Sequence, residues 1–383
     1  MAAGPAAARV STKWAEVDAA ALRDNTAAVA RLVGEGCSVM AMVKANGYGH
    51  GAELTARAAL AGGATWLGVS SVAEALELRS CGLTAPILHT GWTMPAEMVA
   101  AAAAGVDVSV FDVPGVRAAA ATGRGTGPAT RVHWKLDTGM GRLGTRPGQV
   151  EEVRSALREA GTDIDVVGIF THLASADEAD GFAEEQHARF VEVAGAVHDD
   201  FPGALLHCSN SAALLRFPDM HHDLVRPGIA LYGYPPALAG NSLSLRPALT
   251  VRAVVTRVAD LTVGDSVGYG RAWTARRPSR VATVAAGYAD GVDRRNGNRG
   301  IAIAGGALCP MVGRVSMDQL SLDVTDAGPV AAGDHVTLLG EAGGLRIGAA
   351  EVAATIGTIS YEVLCAVSGR VPRVTVNEAE VHG

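Results

Sequence analysis

Between residues 13 and 231 the chain alternates short apolar runs with stretches of helical period, and this alternation limits the fold more than any other feature. Runs of strand character are expected at 14–17, 38–44, 66–70, 86–90, 106–111, 131–136, 164–170 and 205–208, with a last apolar run at 224–231. Helical patterns fall between them, at 19–32, 52–60, 72–78, 96–104, 115–121, 150–160, 182–197 and 212–215. Strands separated by helices of this length predict parallel βα units. About eight such units suit an α/β fold of the TIM-type (β/α)8 barrel. An open doubly wound sheet is the competing arrangement, but no G-x-G-x-x-G follows the first strand. Past Ala248 the long helices fade, and strands at 249–258, 280–285, 300–304, 309–312, 319–324 and 335–339 are punctuated by turns such as Gly264-Asp265 and Gly333-Asp334. A helix at 347–356 and a strand at 371–376 close the chain. The expected division is a tail over 1–12, a barrel over 13–245 and a C-terminal mostly-β domain over 246–383.

Composition narrows the function. Nearly half of the 383 residues are hydrophobic, 49%, which is enough for a large core. The formal net charge of -7, with no Lys/Arg run, argues against a nucleic-acid partner. No stretch reaches the ~18 apolar residues needed to span a bilayer, so no membrane role is expected. The five cysteines are scattered and form no CxxC or Cys/His metal spacing, so no metal is expected and a reduced, cytoplasmic setting is. The Ala-rich N-terminus lacks the basic-then-apolar order of a signal peptide and reads as a frayed tail.

The first segment with chemistry in it is Val43-Lys44-Ala-Asn46-Gly-Tyr48-Gly-His50-Gly51. An apolar strand ends in a lysine, and a Gly-rich turn follows. A lysine there is costly unless paired or put to use. One use is to hold an aldehyde cofactor as a Schiff base; another is to snorkel into water. A second strand runs into Val132-His133-Trp-Lys135-Leu-Asp137-Thr-Gly-Met-Gly-Arg142-Leu-Gly144. Its glycines let backbone approach a ligand, and Arg142 offers a fork of donors for an anionic oxygen. Further strand ends carry Gly168-Ile-Phe-Thr-His172, His207-Cys-Ser-Asn210-Ser211 and Val225-Arg226-Pro-Gly228-Ile229. Ser211 has two readings, a helix N-cap or a phosphate contact at a helix start. The second domain holds Val267-Gly-Tyr269-Gly-Arg271, Gly287-Tyr288-Ala-Asp290-Gly291, Gly313-Arg314-Val-Ser-Met317-Asp318 and Thr358-Ile-Ser-Tyr361-Glu362.

Taken together and in this order, over about residues 13 to 375, these segments resemble the alanine racemases, which use pyridoxal 5'-phosphate (PLP). Gly47, Trp134 and Ser316 depart from the residues more usual in that family. The resemblance implies interconversion of L- and D-alanine by two bases, Lys44 and Tyr269, to supply D-alanine for peptidoglycan. It implies Lys44 as the Schiff-base lysine, and Tyr48, Asn210, Ser211, Gly228, Ile229 and Tyr361 around the cofactor phosphate. Arg226 would donate to the pyridine nitrogen, with His207 behind it, and His172 would join Arg226 and His207 in a network beside Tyr269. Arg142 and Met317 would hold the substrate, Lys135, which is carbamylated in some members of the family, would in that form orient Arg142, Tyr288 would stand near the entrance and Asp318 would support the site. A homodimer is implied, with the tyrosine coming from the partner subunit. Tyrosine normally titrates near ~10, so such a base needs cationic or hydrogen-bonded help. Other readings are a racemase for serine or another small amino acid, a decarboxylase on the same kind of barrel, and a non-catalytic PLP carrier. His89, His221 and His222 read as surface or packing residues.

Overall fold

The structure, a computed structural model, describes residues 11–236, 238 and 243–378. Most of the expected N-terminal tail, residues 1–10, lies outside the described residues. The chain divides into two compact units. One, the barrel unit, contains residues 21–47 and 55–246; the other, the β unit, contains 11–20, 48–54 and 247–378.

The elements in order begin with β1 (Lys13–Asp18), α1 (Ala19–Val33), β2 (Ser38–Met42), α2 (Ala52–Ala61), β3 (Trp66–Val69), α3 (Val72–Ser80), β4 (Ile87–His89) and α4 (Pro95–Ala103). Next come β5 (Val106–Val110), α5 (Val113–Thr126), β6 (Thr130–Lys135), α6 (Val150–Ala160), β7 (Ile164–Phe170), α7 (Phe182–Val197), β8 (Leu205–His207), α8 (Ser211–Arg216) and β9 (Leu224–Val225). Strands β2 to β9 pair in parallel, in the order β8-β7-β6-β5-β4-β3-β2-β9. Backbone bonds from Asp223 N to Leu206 O (3.1 Å) and from Arg226 N to Ser209 O (2.9 Å) join the two ends. The sheet thus closes into a barrel of eight parallel strands. Buried on both faces, its strands read as near-continuous apolar runs such as Trp66–Val69, all four residues of which are buried.

The first strand departs from the expected domain plan: instead of joining the barrel, β1 pairs with two strands of the β unit, antiparallel to β10 (Leu249–Leu261) and parallel to the last strand, Arg373–Val376. The physical reason is that β2 pairs with β9, which leaves the closed barrel no edge for a ninth strand. Arg252 Nε donates to Glu16 Oε1 at 2.8 Å across the β1–β10 ladder.

The β unit continues with β11 (Ser266–Val267), β12 (Trp273–Thr274), β13 (Ser279–Val284), β14 (Ile301–Ala304), β15 (Ala307–Pro310), β16 (Leu320–Asp323), β17 (His335–Ala342) and β18 (Leu345–Ile347). Helices α9 (Ala349–Ile356) and α10 (Ser360–Cys365) precede β19 (Arg373–Val376). Its main sheet runs β15-β14-β17-β10-β1-β19, and β13 branches from β10 to reach β16. The 13-residue β10 serves both parts: its first half faces β1 and β17, and its second half pairs with β13 beyond an irregularity at Val255/Arg257.

Candidate active site

The barrel carries its chemistry at the carboxyl ends of its strands, where parallel barrels present binding residues. After β2 the backbone turns left-handed through Ala45, Asn46, Gly47 and Tyr48, with φ of 53°, 53°, 59° and 50°. For L-residues this costs roughly 1–2 kcal/mol each, so the turn stands only because it is anchored. Within the barrel unit, Ala45 N donates to Glu74 Oε1 (2.7 Å) and Gly47 N to Val43 O (2.8 Å). Lys44 opens this turn. The sequence foresaw a Gly-rich turn here, but not its hand, since three of the four left-handed residues carry side chains.

Lys135 ends β6, is 5% exposed and sits with its Nζ 5.4 Å from the centre of the Phe170 ring. Burial, then the charges of Arg226, Arg142 and Lys44, push its ammonium down to about 8, with Asp137 opposing. The loop beyond it folds back on the strand. Asp137 N donates to Thr145 O (2.9 Å), Thr145 N to Lys135 O (2.8 Å), and Asp137 Oδ1 accepts from Gly139 N and Gly141 N. Gly144, at φ 138°, is required here, because a Cβ would lie 2.5 Å from Asp137 N. This loop carries the exposed Arg142.

Arg226, directly after β9, is buried, and burial pushes its guanidinium down to about 10. Its Nη1 donates to His207 Nδ1 at 2.7 Å, and its Nη2 to Thr171 O (2.7 Å) and Cys208 O (3.2 Å). The guanidinium carbon stands 5.2 Å from the Phe170 ring centre, and His207 stacks on the same ring at 4.7 Å. The expected His172–Arg226 link takes a different form. Among the described residues no hydrogen bond joins them. Their coupling is electrostatic: burial and then the charges of Arg226, Lys135, Arg142 and Lys44 hold His172 well below its usual range.

Ser211 is not the helix cap. Asn210 caps α8, its Oδ1 accepting from Ala212 N and Ala213 N at 3.0 Å each. Ser211 Oγ instead accepts from Gly228 N (2.8 Å) and Ala230 N (3.3 Å), which ties the start of α8 to the turn after β9.

The remaining sequence-predicted residues belong to the β unit. Tyr48 is buried against Tyr361, ring centres 6.1 Å apart, and burial raises its hydroxyl above the usual phenol range. A Cβ on Gly49 would clash with Leu364 O in α10, and Arg373 Nε donates to Gly49 O at 2.8 Å. Tyr269 is 71% exposed in a turn framed by Gly268 and Gly270, both at positive φ. That turn packs on the Gly313–Arg314 segment, since a Cβ on Gly270 would stand 3.3 Å from the Arg314 guanidinium. Met317 and Tyr288 are exposed and share backbone bonds, Tyr288 N to Ser316 O (3.0 Å) and Ala289 N to Met317 O (3.1 Å). Asp318 accepts from Arg370 Nη2 at 2.6 Å, and Arg370 also faces the buried Asp290 at 3.4 Å.

Three histidines read as surface or packing residues make specific interior bonds. His89 is buried, with Nδ1 on Thr93 Oγ1 (2.9 Å) and Nε2 on Ser70 O (3.0 Å). His221 Nε2 reaches Leu214 O at 2.8 Å, and His222 pairs with His187 at 2.9 Å. Cys208 lies beside that pair, all three candidate ligand atoms within 4.8 Å of one another. Burial holds the Cys208 thiol up at about 11 and the imidazoles satisfy each other, so packing accounts for the group.

Of the polar groups inside the barrel, the sequence pointed to His207 but not to what lies beyond it, His133 and Asp107. His207 Nε2 meets His133 Nδ1 at 2.9 Å, and His133 Nε2 lies 3.5 Å from Asp107 Oδ2. Gly168 in β7 makes room for the imidazole pair, because a Cβ there would clash with His133 Nδ1 and lie 3.1 Å from His207 Nε2. Gly168→Ala is expected to destabilise the protein by about 1–3 kcal/mol, the usual cost of overpacking. Urea unfolding would show it, and an unchanged midpoint would mean that the pair has room to shift. The available signal was polar residues at every second position, Asp107 and Ser109 in β5 and Arg131, His133 and Lys135 in β6.

Lys44, Lys135, Arg142 and Arg226 all act on one another or on His172, with Asp137 as an acid opposing them at Lys135. This surplus of positive charge fits an anionic phosphate ester and a carboxylate substrate.

Family models described as "Alanine racemase, N-terminal domain" and "Alanine racemase, C-terminal domain" match residues 17–236 and 248–375. The chain is 43% identical over 366 residues to an alanine racemase of Symbiobacterium thermophilum, covering 94% of this chain and 96% of that protein. It is 40% identical over 367 residues to one of Desulforamulus reducens, covering 95% and 98%. The crystal structure of an alanine racemase from Streptomyces lavendulae superposes with a TM-score of 0.92 at 35% identity, covering 97% of this chain and 99% of that one.

Proposed function

This chain belongs to the alanine racemase family, and from that premise we propose that Lys44 and Tyr269 are its two bases, acting on an amino acid bound to PLP at the mouth of the barrel. The observation that carries this reading is the gathering of Lys44, Lys135, Arg142 and Arg226 at the carboxyl ends of the barrel strands. Bound PLP draws electrons from the substrate's Cα and makes its hydrogen acidic. Everything else falls to the protein.

Lys44 would hold the cofactor's aldehyde until the substrate's amine takes its place there; the amine so freed takes or returns the proton on one face of Cα, and the Tyr269 hydroxyl does so on the other. Ser211, Asn210, the backbone at Gly228 and Ile229, and the hydroxyls of Tyr48 and Tyr361 hold the phosphate. Arg226 donates to the pyridine nitrogen, and an arginine, unlike a carboxylic acid, does not give that nitrogen its proton. Arg142 and the backbone of Met317 hold the substrate carboxylate, Lys135, once carbamylated and so made anionic, orients Arg142, and Asp318 steadies its loop through Arg370. His172 acts on the tyrosine that the partner subunit supplies, and Tyr288 stands at the entrance.

The exposure of Tyr269 and Met317 supports a homodimer in which each tyrosine serves the partner's site. No helix among the described residues is long and apolar enough to cross a membrane, and the reduced cysteines suit a cytoplasmic enzyme supplying D-alanine to the cell wall. The test is turnover of L-alanine by the PLP-loaded protein, with L-serine alongside. Fast alanine and slow serine turnover are expected. Serine turnover equal to or above alanine would move the reading to a broader racemase. No turnover of either, with the cofactor's absorbance present, would leave a carrier.

A further inference from the structure

A line of buried polar side chains runs from Arg226 through the barrel interior to Asp107, which is 1% exposed. Arg226 Nη1 meets His207 Nδ1 at 2.7 Å, His207 Nε2 meets His133 Nδ1 at 2.9 Å, and His133 Nε2 stands 3.5 Å from Asp107 Oδ2. Arg131 closes the far end, with Nε on Asp107 Oδ1 at 2.8 Å and Nη2 on Oδ2 at 3.2 Å. The chemistry of the two end groups sets the direction of every bond between them. A guanidinium carries donors only, so His207 Nδ1 accepts. A neutral His207 then bears its proton on Nε2 and donates to His133 Nδ1. His133 in turn bears its proton on Nε2 and points it at the carboxylate.

Three further observations agree. Burial, together with nearby positive charge, holds both imidazoles below their usual range and so neutral. Burial works to raise the Asp107 carboxyl, but His133 beside it and the hydrogen bonds from Arg131 outweigh it and keep it ionised. Gly168 supplies the space in which the imidazoles meet. Each ring therefore turns its bare nitrogen toward the arginine and its N–H toward the carboxylate, the favourable orientation at both ends. The reverse tautomer would set an N–H of His207 against an N–H of Arg226.

We propose that Asp107 is a positioning residue for the racemase site: through His133 and His207 it fixes the tautomers that leave His207 as the acceptor for Arg226, and so fixes where the Arg226 guanidinium aims its remaining donors. The proposal rests on the placement of Arg226 at the cofactor's ring nitrogen given above. Asp107 touches neither cofactor nor substrate, and its effect travels through the tautomers alone.

The test uses the full-length protein labelled with 15N-histidine, with and without PLP. In the wild type both His133 and His207 are expected to carry the proton on Nε2. A proton on Nδ1 of His207 in the wild type would overturn the proposal without any variant. Asp107→Asn offers His133 an amide that bonds in either direction, so His207 is expected to show mixed tautomers. The cofactor's absorbance should shift, and kcat for alanine should fall by about 10–100-fold, as for other outer residues that orient a catalytic ligand, with little change in KM. Asp107→Glu should restore the single tautomer and most of kcat. A folded Asp107→Asn protein with unchanged tautomers, absorbance and kcat would overturn the proposal. Arg226→Gln separates the two readings. An unchanged cofactor band in that variant removes Arg226 from the cofactor and the proposal with it; a changed band there beside an unchanged one in Asp107→Asn removes Asp107 alone.

Discussion

Tyr269→Phe is expected to slow proton removal from L-alanine by about 10²–10⁴-fold, the usual worth of one general base, while the cofactor's absorbance stays as it was. The ring is retained and only the hydroxyl is lost, in a turn whose shape is set by Gly268 and Gly270 rather than by the tyrosine. At 71% exposure the side chain supports little of its own unit, so stability should be unchanged. The informative measurement is solvent deuterium incorporation at Cα. Incorporation from D-alanine should continue, because Lys44 serves that face, while incorporation from L-alanine should almost stop. Full activity in the variant would remove Tyr269 from the mechanism. Loss of incorporation from both enantiomers would instead mean that the tyrosine helps to place the substrate.

Lys44→Ala should have the larger effect. It removes a base and the covalent anchor of the cofactor together, so racemisation should fall by more than about 10⁴-fold and the Schiff-base absorbance should vanish. This loss should not reflect unfolding. Lys44 is one of three cations that depress the Lys135 ammonium; taking it away relieves repulsion and lets Lys135 titrate closer to its ordinary value. Measured on both proteins without cofactor, so that lost cofactor binding does not enter, a melting temperature no lower than that of the wild type is therefore expected. A lower one would show that the Lys44 side chain holds the left-handed turn in place. Retained absorbance would mean that another amine, with Lys135 the first suspect, holds the cofactor.

The barrel was legible because its parallel strands are buried on both faces and stand out as apolar runs between helices. The position of β1 was not, since a strand followed by a helix looks the same whether its partners lie next in sequence or at Leu249–Leu261 and Arg373–Val376. Pairing is a non-local property, and nothing within Lys13–Asp18 records it. The strand-end lysine, histidine and arginines stood out because charge at the end of an apolar run calls for a reason. The Asp107–His133–His207 line did not, because its members are spread over β5, β6 and β8 and meet only when the barrel closes. That Asn210 rather than Ser211 caps α8 has a related reason: either can cap a helix, and the choice is made by the Gly228 and Ala230 N–H groups, which come from another strand end.

The place of β1 also bears on the order in which this chain can fold. The barrel unit is almost continuous in sequence and is fully synthesised by residue 246. The β unit is not: its first strand emerges first, and its ladder partners begin with Leu249 and end with Val376. At ~5–20 residues per second on the ribosome, β1 waits on the order of 10–50 s for β10 and longer for β19. Through that interval its unpaired backbone edge is open to pairing with other chains. A nascent chain stalled just past residue 246 would thus present a finished barrel with a loose strand before it. Only release of the last residues seats β1 between its two neighbours, so a truncation that removes Arg373–Val376 would be felt at Lys13–Asp18, the opposite end of the chain.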